Sequence, residues 1–198
     1  MTKILPLIYI LFLPYSLFAQ DERFDMEIRR TQETIGDIKY SGFTTSFGFP
    51  VSDIQKKWWK YSKSIGIVEN MKSYYLVKIP PREKGYASVS LIEKTSGDEN
   101  ESSIFLAVLD QTLNDYKEQV RDVLLEFKVR FYTDLVEQQI EKKESELANT
   151  GKEYENLVAQ AQKSGVAIPT KKQAILLTEI TRLSYELEEL KRSLNQIQ

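Results

Sequence analysis

The chain has no histidine and no cysteine. Their absence excludes Ser-His-Asp and Cys-His catalysis, zinc sites built from the usual ligands, haem held through an imidazole, and thiol redox chemistry. It also removes the one side chain that ordinarily titrates near neutrality. Any catalysis would have to come from carboxylates, lysine, tyrosine or serine, so the reading is of a non-enzymatic protein. An excess of one charge is missing too. Lysine and arginine number 27 against 29 acids, a net charge of −2. A nucleic-acid binder would show a basic excess or a sustained basic stripe, so no such partner is expected. There is no P-loop, no GxSxG and no GxGxxG, and no repeat longer than a heptad. No cofactor is implied.

What is present begins with MTKILPLIYILFLPYSLFAQ. Lys3 precedes an apolar run of about 15 residues, and Ala19 stands before the charged DER. The run is shorter than the ~20 residues a spanning helix needs, and Pro6 and Pro14 disfavour a helix there. A short basic region, an apolar stretch and a small residue describe a Sec-type signal peptide over 1–19, cleaved after Ala19. Leu17 is larger than the −3 position prefers. No later segment is long and apolar enough to span a membrane, so none is expected in the mature chain. With no cysteine for a lipid anchor or a disulfide, a periplasmic or secreted location is the expectation.

Residues 20–41 are polar without a sustained period and read as an N-terminal arm with one short strand. GFTTSFGF alternates Phe43, Thr45, Phe47 and Phe49 with smaller residues, the period-two pattern of a half-buried strand. DIQKKWWKYSKSIG then reads as a short helix. Ser52 and Gln55 make a capping box, and Gly66 stands at the C-terminal cap. Ile54, Trp58, Tyr61 and Ile65 share one face. Lys56, Lys57, Lys60 and Lys63 fill the remaining arc, and Trp59 lies about 100° from Trp58, at the margin of the apolar stripe. Three strands follow, Ser73–Ile79, Tyr86–Glu93 and Ser103–Leu109, joined by PPREKG and KTSGDENESS. SIFLAVL is apolar on both sides, which suits a strand covered on both faces. The expected fold class is α+β: a small antiparallel sheet (strand, helix, three-strand meander) packed on a long helix, over residues 42–135.

From Thr112 there is no proline until Pro169, and the pattern is helical. Leu113, Tyr116, Val120, Val123, Phe127, Phe131 and Leu135 form a broad stripe. It then thins to Ile140, Leu147, Tyr154 and Ala161, spaced by sevens. Gly151 costs roughly 1 kcal/mol relative to alanine, but the phase survives it, so one helix with a weak point is expected. SGVAIPT interrupts the helix, and Thr170 with Gln173 makes a second capping box. Leu176, Ile180, Leu183, Leu187, Leu190, Leu194 and Ile197 then alternate spacings of four and three, the coiled-coil pattern. At about 1.5 Å per residue, a helix over 170–197 reaches about 42 Å. The short loop points to an antiparallel coiled-coil hairpin over 136–198. The alternative is a straight helix pairing with a second copy.

The possible ligand or partner surfaces are two. Trp59 with Lys56, Lys60 and Lys63 is one: a solvated helix face is the simpler account of the lysines, and anionic lipid, lipopolysaccharide or glycan the other. Ile175, Leu177 and Tyr185, left at the margin of the last seam, are the second, for an envelope protein or self-association. A binding module would instead show an apolar or glycan pocket lined by Phe43, Phe47, Trp58 and Tyr75. The acids of SGDENES lack the ligand spacing of a calcium loop, and no acid pair for a hydrolase stands out. The segments DIQKKWWKYSKSIG, YYLVKIPP, SVSLIEKTSGDENESSIFLAVLD and 112–198, in that order, make the layout similar to a group of uncharacterised secreted bacterial envelope proteins. The resemblance implies the architecture and export, and carries no activity.

Overall fold

The computed structural model describes residues 24–81, 88–113, 116–167 and 170–197. The expected signal peptide and most of the PPREKG turn lie outside them. Six strands form one antiparallel sheet: β1 (Arg29–Ile35), β2 (Ile38–Phe47), β3 (Ile67–Asn70), β4 (Tyr75–Ile79), β5 (Val89–Gly97) and β6 (Ser102–Val108). The sheet order is β1-β2-β6-β5-β4-β3. Helix α1 (Val51–Ile65) follows β2, and α2 (Lys117–Ser164) and α3 (Thr170–Ile197) complete the chain. The fold class is therefore α+β, with a long helix and a C-terminal helix packed against it.

The sheet is larger than the expected four strands. The region read as an arm supplies β1 and the start of β2, paired from Arg29↔Thr44 to Ile35↔Ile38 across a turn with Gly36 at φ +62°. Its alternation is hard to see because a single β1 side chain, Ile35, is buried. The short edge strand β3 was likewise unexpected, having the half-buried Val68 and Glu69 at its centre.

Odd-numbered positions of β5 and even-numbered positions of β6 face the helices. Val89, Leu91, Ile104, Leu106 and Val108 join Phe43, Phe47 and Val77 in one core with Ile54, Trp58, Tyr61 and the start of α2. The opposite face holds a second cluster, Ile35, Tyr40, Ile92, Phe105 and Ala107, flanked by Tyr74 and Leu76. Thus β6 is covered on both sides, as its uninterrupted apolar run requires. The sheet coils to enclose that second cluster. Glu33 on β1 pairs with Lys94 on β5, though two strands intervene and a flat sheet would separate them by about 14 Å. Gly42 allows this bend. A Cβ there would lie 2.3 Å from the Leu106 carbonyl oxygen and 2.7 Å from the Ala107 Cβ.

The first capping box does not form as read; Thr170 of the second has no described side chain. Helix α1 starts at Val51 with Pro50 as its cap residue and no side-chain cap. Its first N–H is taken up from outside instead: Val51 donates to the Asp98 carbonyl at 2.9 Å. Asp98 is held in turn by an Asx turn, its Oδ1 accepting from the Asn100 and Glu101 N–H groups. Those bonds keep its carboxyl below the usual carboxylate range. The charged tip of SGDENES thus serves as the docking point for a helix. In α3, Gln173 Nε2 bonds to Tyr154 Oη at 3.3 Å.

Helix α2 begins at Lys117, not Thr112. Asp110 Oδ1 accepts from both the N–H and the hydroxyl of Thr112, holding that stretch in a turn. From there α2 runs unbroken through Gly151. Its first part buries Val120, Val123, Leu124, Phe127, Phe131, Tyr132 and Val136 on the sheet and α1. Helix α3 packs along the remainder. Lys172–Glu153 sets the start of α3 beside the later part of α2, and Lys143–Glu186 and Lys191–Glu144 set its second half beside the earlier part. Leu176, Leu183, Leu187, Leu190 and Ile197 are buried. These pairs are exposed and each contributes less than about 1 kcal/mol; the leucines, worth roughly 2 kcal/mol each, hold the helices together.

The bend at Gly42 yields a test with a built-in control. Gly42→Ala should lower unfolding free energy by about 1–3 kcal/mol, read as a lower urea midpoint at unchanged slope. Gly48→Ala, where a Cβ meets nothing within 4 Å, should change it by less than about 0.5 kcal/mol.

Candidate functional site

The two adjacent tryptophans occupy different environments because a helix turns about 100° per residue. Trp58 is 2 % exposed. Its ring meets Phe127 of α2 edge-on, centroids 5.0 Å apart and planes at 89°. Tyr61, one turn on, donates its hydroxyl to the Val123 carbonyl at 3.3 Å. Trp59 is half-buried, its ring 5.2 Å from Tyr75 of β4. The Lys63 ammonium lies over it at 4.4 Å from the ring centroid. Such a contact stabilises by about 0.5–1 kcal/mol at an exposed site. The question left by the sequence is answered: Trp59 is flanked by a tyrosine and roofed by its own lysine.

The lysines divide in the same way. Lys56 and Lys60 are exposed. Lys57 reaches Asp134 of α2 at 3.6 Å. With Lys60, Tyr61 and Arg130 these two line a shallow groove of about 30 Å³ between α1 and α2. At the far end of α1, Lys63 borders an open cleft of about 440 Å³ with Gly66, Ile67 and Ile79. Gly66 is needed there, since a Cβ would sit 2.4 Å from the Lys78 carbonyl oxygen.

The other predicted surface is elsewhere. Ile175, Leu177 and Tyr185 on α3 are 58 %, 44 % and 66 % exposed. Gln173 sits against Tyr154, whereas α1 meets α2 at Asp134. Along α2 that separation is about 30 Å, and for Tyr185, beside the Glu186 that pairs with Lys143, about 14 Å. The structure therefore does not bring the two sets of residues together. Nor do Phe43, Phe47, Trp58 and Tyr75 line a pocket. The first three are 5 %, 2 % and 2 % exposed within the main core, because Phe127 and Phe131 fill the space the ligand would have taken. Phe47 lies 5.7 and 5.5 Å from those two rings.

Two charged residues in that core were missed. Glu93 of β5 and Lys128 of α2 are both fully buried. Their signals were legible: Glu93 continues the Val89, Leu91 alternation, and Lys128 follows Phe127 beside Leu124 on the inward arc. Lys128 is satisfied. Its ammonium donates to the Glu27 carbonyl at 3.3 Å, pairs with Asp25 at 3.6 Å and faces the Phe47 ring at 5.4 Å. Burial still lowers its pKa, with Asp25 opposing. The contact fastens the segment before β1, where Phe24 packs on Tyr132 at 5.1 Å and Thr45 Oγ1 donates to Glu27 O at 2.8 Å.

Glu93 is not satisfied. Thr95 Oγ1 donates to its Oε1, but Oε2 and the indole Nε1 of Trp58 complete no hydrogen bond. Burial pushes the carboxyl up to about 7, against smaller opposing effects of Thr95 and then of the nearby Trp58 N–H. Glu93 is fully buried, and among the described residues no second carboxylate acts on it. Among the described residues no group of acids is arranged to hold a metal ion, and no helix is long and apolar enough to cross a membrane. No protein-family model matches the chain, and no curated protein or solved structure shows significant similarity to it.

Two substitution pairs test these assignments by urea unfolding. Trp58→Ala should cost about 3–5 kcal/mol, and Trp59→Ala about 1 kcal/mol, the worth of its stacked and cation–π contacts. Lys128→Met, which removes the buried ammonium and keeps the volume, should leave stability within about 1 kcal/mol of wild type. Lys128→Ala, which opens a cavity, should cost about 2–4 kcal/mol.

Proposed function

We propose that this is an exported, non-enzymatic envelope protein whose α+β domain carries an antiparallel coiled-coil hairpin as a spacer and protein-docking surface. The observation that supports it most is where α2 goes. Its sheet-facing burial ends at Val136, and from there to Ser164 it is accompanied by α3 alone in the contacts described. The added length is about 40 Å. A globular enzyme gains nothing from such a projection, whereas a spacer or a docking arm needs one. On its outer side α3 presents Ile175, Leu177 and Tyr185, apolar positions that the pairing with α2 does not use.

The location follows from the apolar run after Lys3 and from the likeness to secreted envelope proteins. The mature protein would begin at Gln20, four residues before Phe24 docks on Tyr132.

Photocrosslinking in living cells tests the reading. A photoreactive residue at 175, 177 or 185 should give discrete adducts with an envelope protein or a second copy, and one at exposed Glu155 of α2 should give none. An absence of adducts at all three α3 positions would dispose of the docking role. Mass analysis of the exported protein should find Gln20 at the N-terminus.

A further inference from the structure

We propose that Glu93 is a buried proton switch that fastens α1 to the sheet when its carboxyl is neutral and loosens it when ionised. The geometry of the seam carries this. The carboxyl is fully buried, on the side of β5 that α1 covers. Thr95 Oγ1 donates to its Oε1, while Oε2 and the indole Nε1 of Trp58, whose N–H acts on the carboxyl, are both buried with no completed hydrogen bond. Loss of the proton leaves a full charge in the same place.

Among the described residues no cation answers it. On β4, the residue opposite is Tyr75, and on β6 it is Leu106. From α1 comes the Trp58 ring, its lysines lying on the outer arc. Beyond Trp58, α2 contributes Phe127, while Lys128 is engaged with Asp25 and the Glu27 carbonyl. Lys94, next along β5, points to the other face and pairs with Glu33. A buried charge without a partner drives either proton uptake or admission of water.

Water enters most readily by displacing α1. The helix is held by Ile54, Trp58 and Tyr61, by the Tyr61 hydroxyl on the Val123 carbonyl and the Lys57–Asp134 pair, and by Val51 N–H on the Asp98 carbonyl. Between the ordinary carboxyl value of 4.5 and about 7, the closed state holds a proton that the open state has lost. Closure therefore weakens as pH rises through that window and levels off above it, by at most about 300-fold.

Native-state hydrogen exchange tests the switch, with protection factors measured between pH 5 and 9 at several sub-denaturing urea concentrations. Amides of 54–65 should exchange through a separate opening, less urea-sensitive than global unfolding, that becomes about 80-fold more populated between pH 5 and pH 9. Those of β6 should follow global unfolding. In Glu93→Gln the α1 opening should be flat with pH. The proposal is overturned if the α1 amides track β6 at every pH, or if the pH response survives in Glu93→Gln. Should that variant not fold, carboxyl ¹³C titration of the wild-type chain decides. A Glu93 midpoint near 7 with the Trp58 indole proton moving in step supports the switch, and a midpoint in the ordinary carboxylate range removes it.

Discussion

Trp58 seated edge-on against Phe127 is the contact on which the rest of the structure depends. One ring belongs to the short helix α1, the other to the long helix α2, and both lie on the sheet. Tyr61, Phe47 and Phe131 pack round the same pair. Removing apolar area of this size from water contributes more than any ion pair on the surface. It also sets geometry. With Trp58 inward, helical rotation must leave Trp59 at the margin and the lysines outside. On α2 the buried arc is broader, and Lys128 enters the core because it lies in one row with Leu124, Tyr132 and Val136.

The core therefore carries two ionisable groups that its apolar packing has brought inside, and it treats them differently. Lys128 has a long stem, so its ammonium reaches the segment before β1 and finds a carbonyl, a carboxylate and an aromatic face. Its burial is turned into a fastening for the start of the domain. Glu93 has a short stem on a strand in the middle of the sheet and meets one hydroxyl and an indole. Neutrality is its route to being accommodated. The α1 surface and the α3 surface, about 14 to 30 Å apart along α2, are not brought together.

Much of this was legible from residue spacing. The α1 face, the two-sided burial of β6 and the passage of α2 through Gly151 all follow from period and composition. The misses have particular causes. β1 has one buried side chain, so its alternation carries almost no hydrophobic signal, and only pairing with β2 makes it a strand. Ser52 and Gln55 make a sound local cap, but Asp98, far along the chain, supplies a backbone acceptor one turn earlier and displaces it. Glu93 and Lys128 were passed over because charged residues are presumed outside, although each sits in register with apolar neighbours. The pocket that the binding-module alternative required among Phe43, Phe47, Trp58 and Tyr75 is filled by α2, whose contribution no local pattern announces.

What the sequence alone determined, then, is everything governed by neighbours a few residues apart. That covers the helices and their faces, the long strands, the unbroken α2, and the chemistries that a chain without histidine or cysteine cannot perform. The tertiary structure decided what depends on distant partners: the coil of the sheet over its second cluster, the anchoring of α1 on a hairpin tip, the roof over Trp59, and the isolation of Glu93. The physical reason is that periodicity reports which side of an element is apolar, whereas the burial of a charge depends on what arrives from elsewhere to cover it.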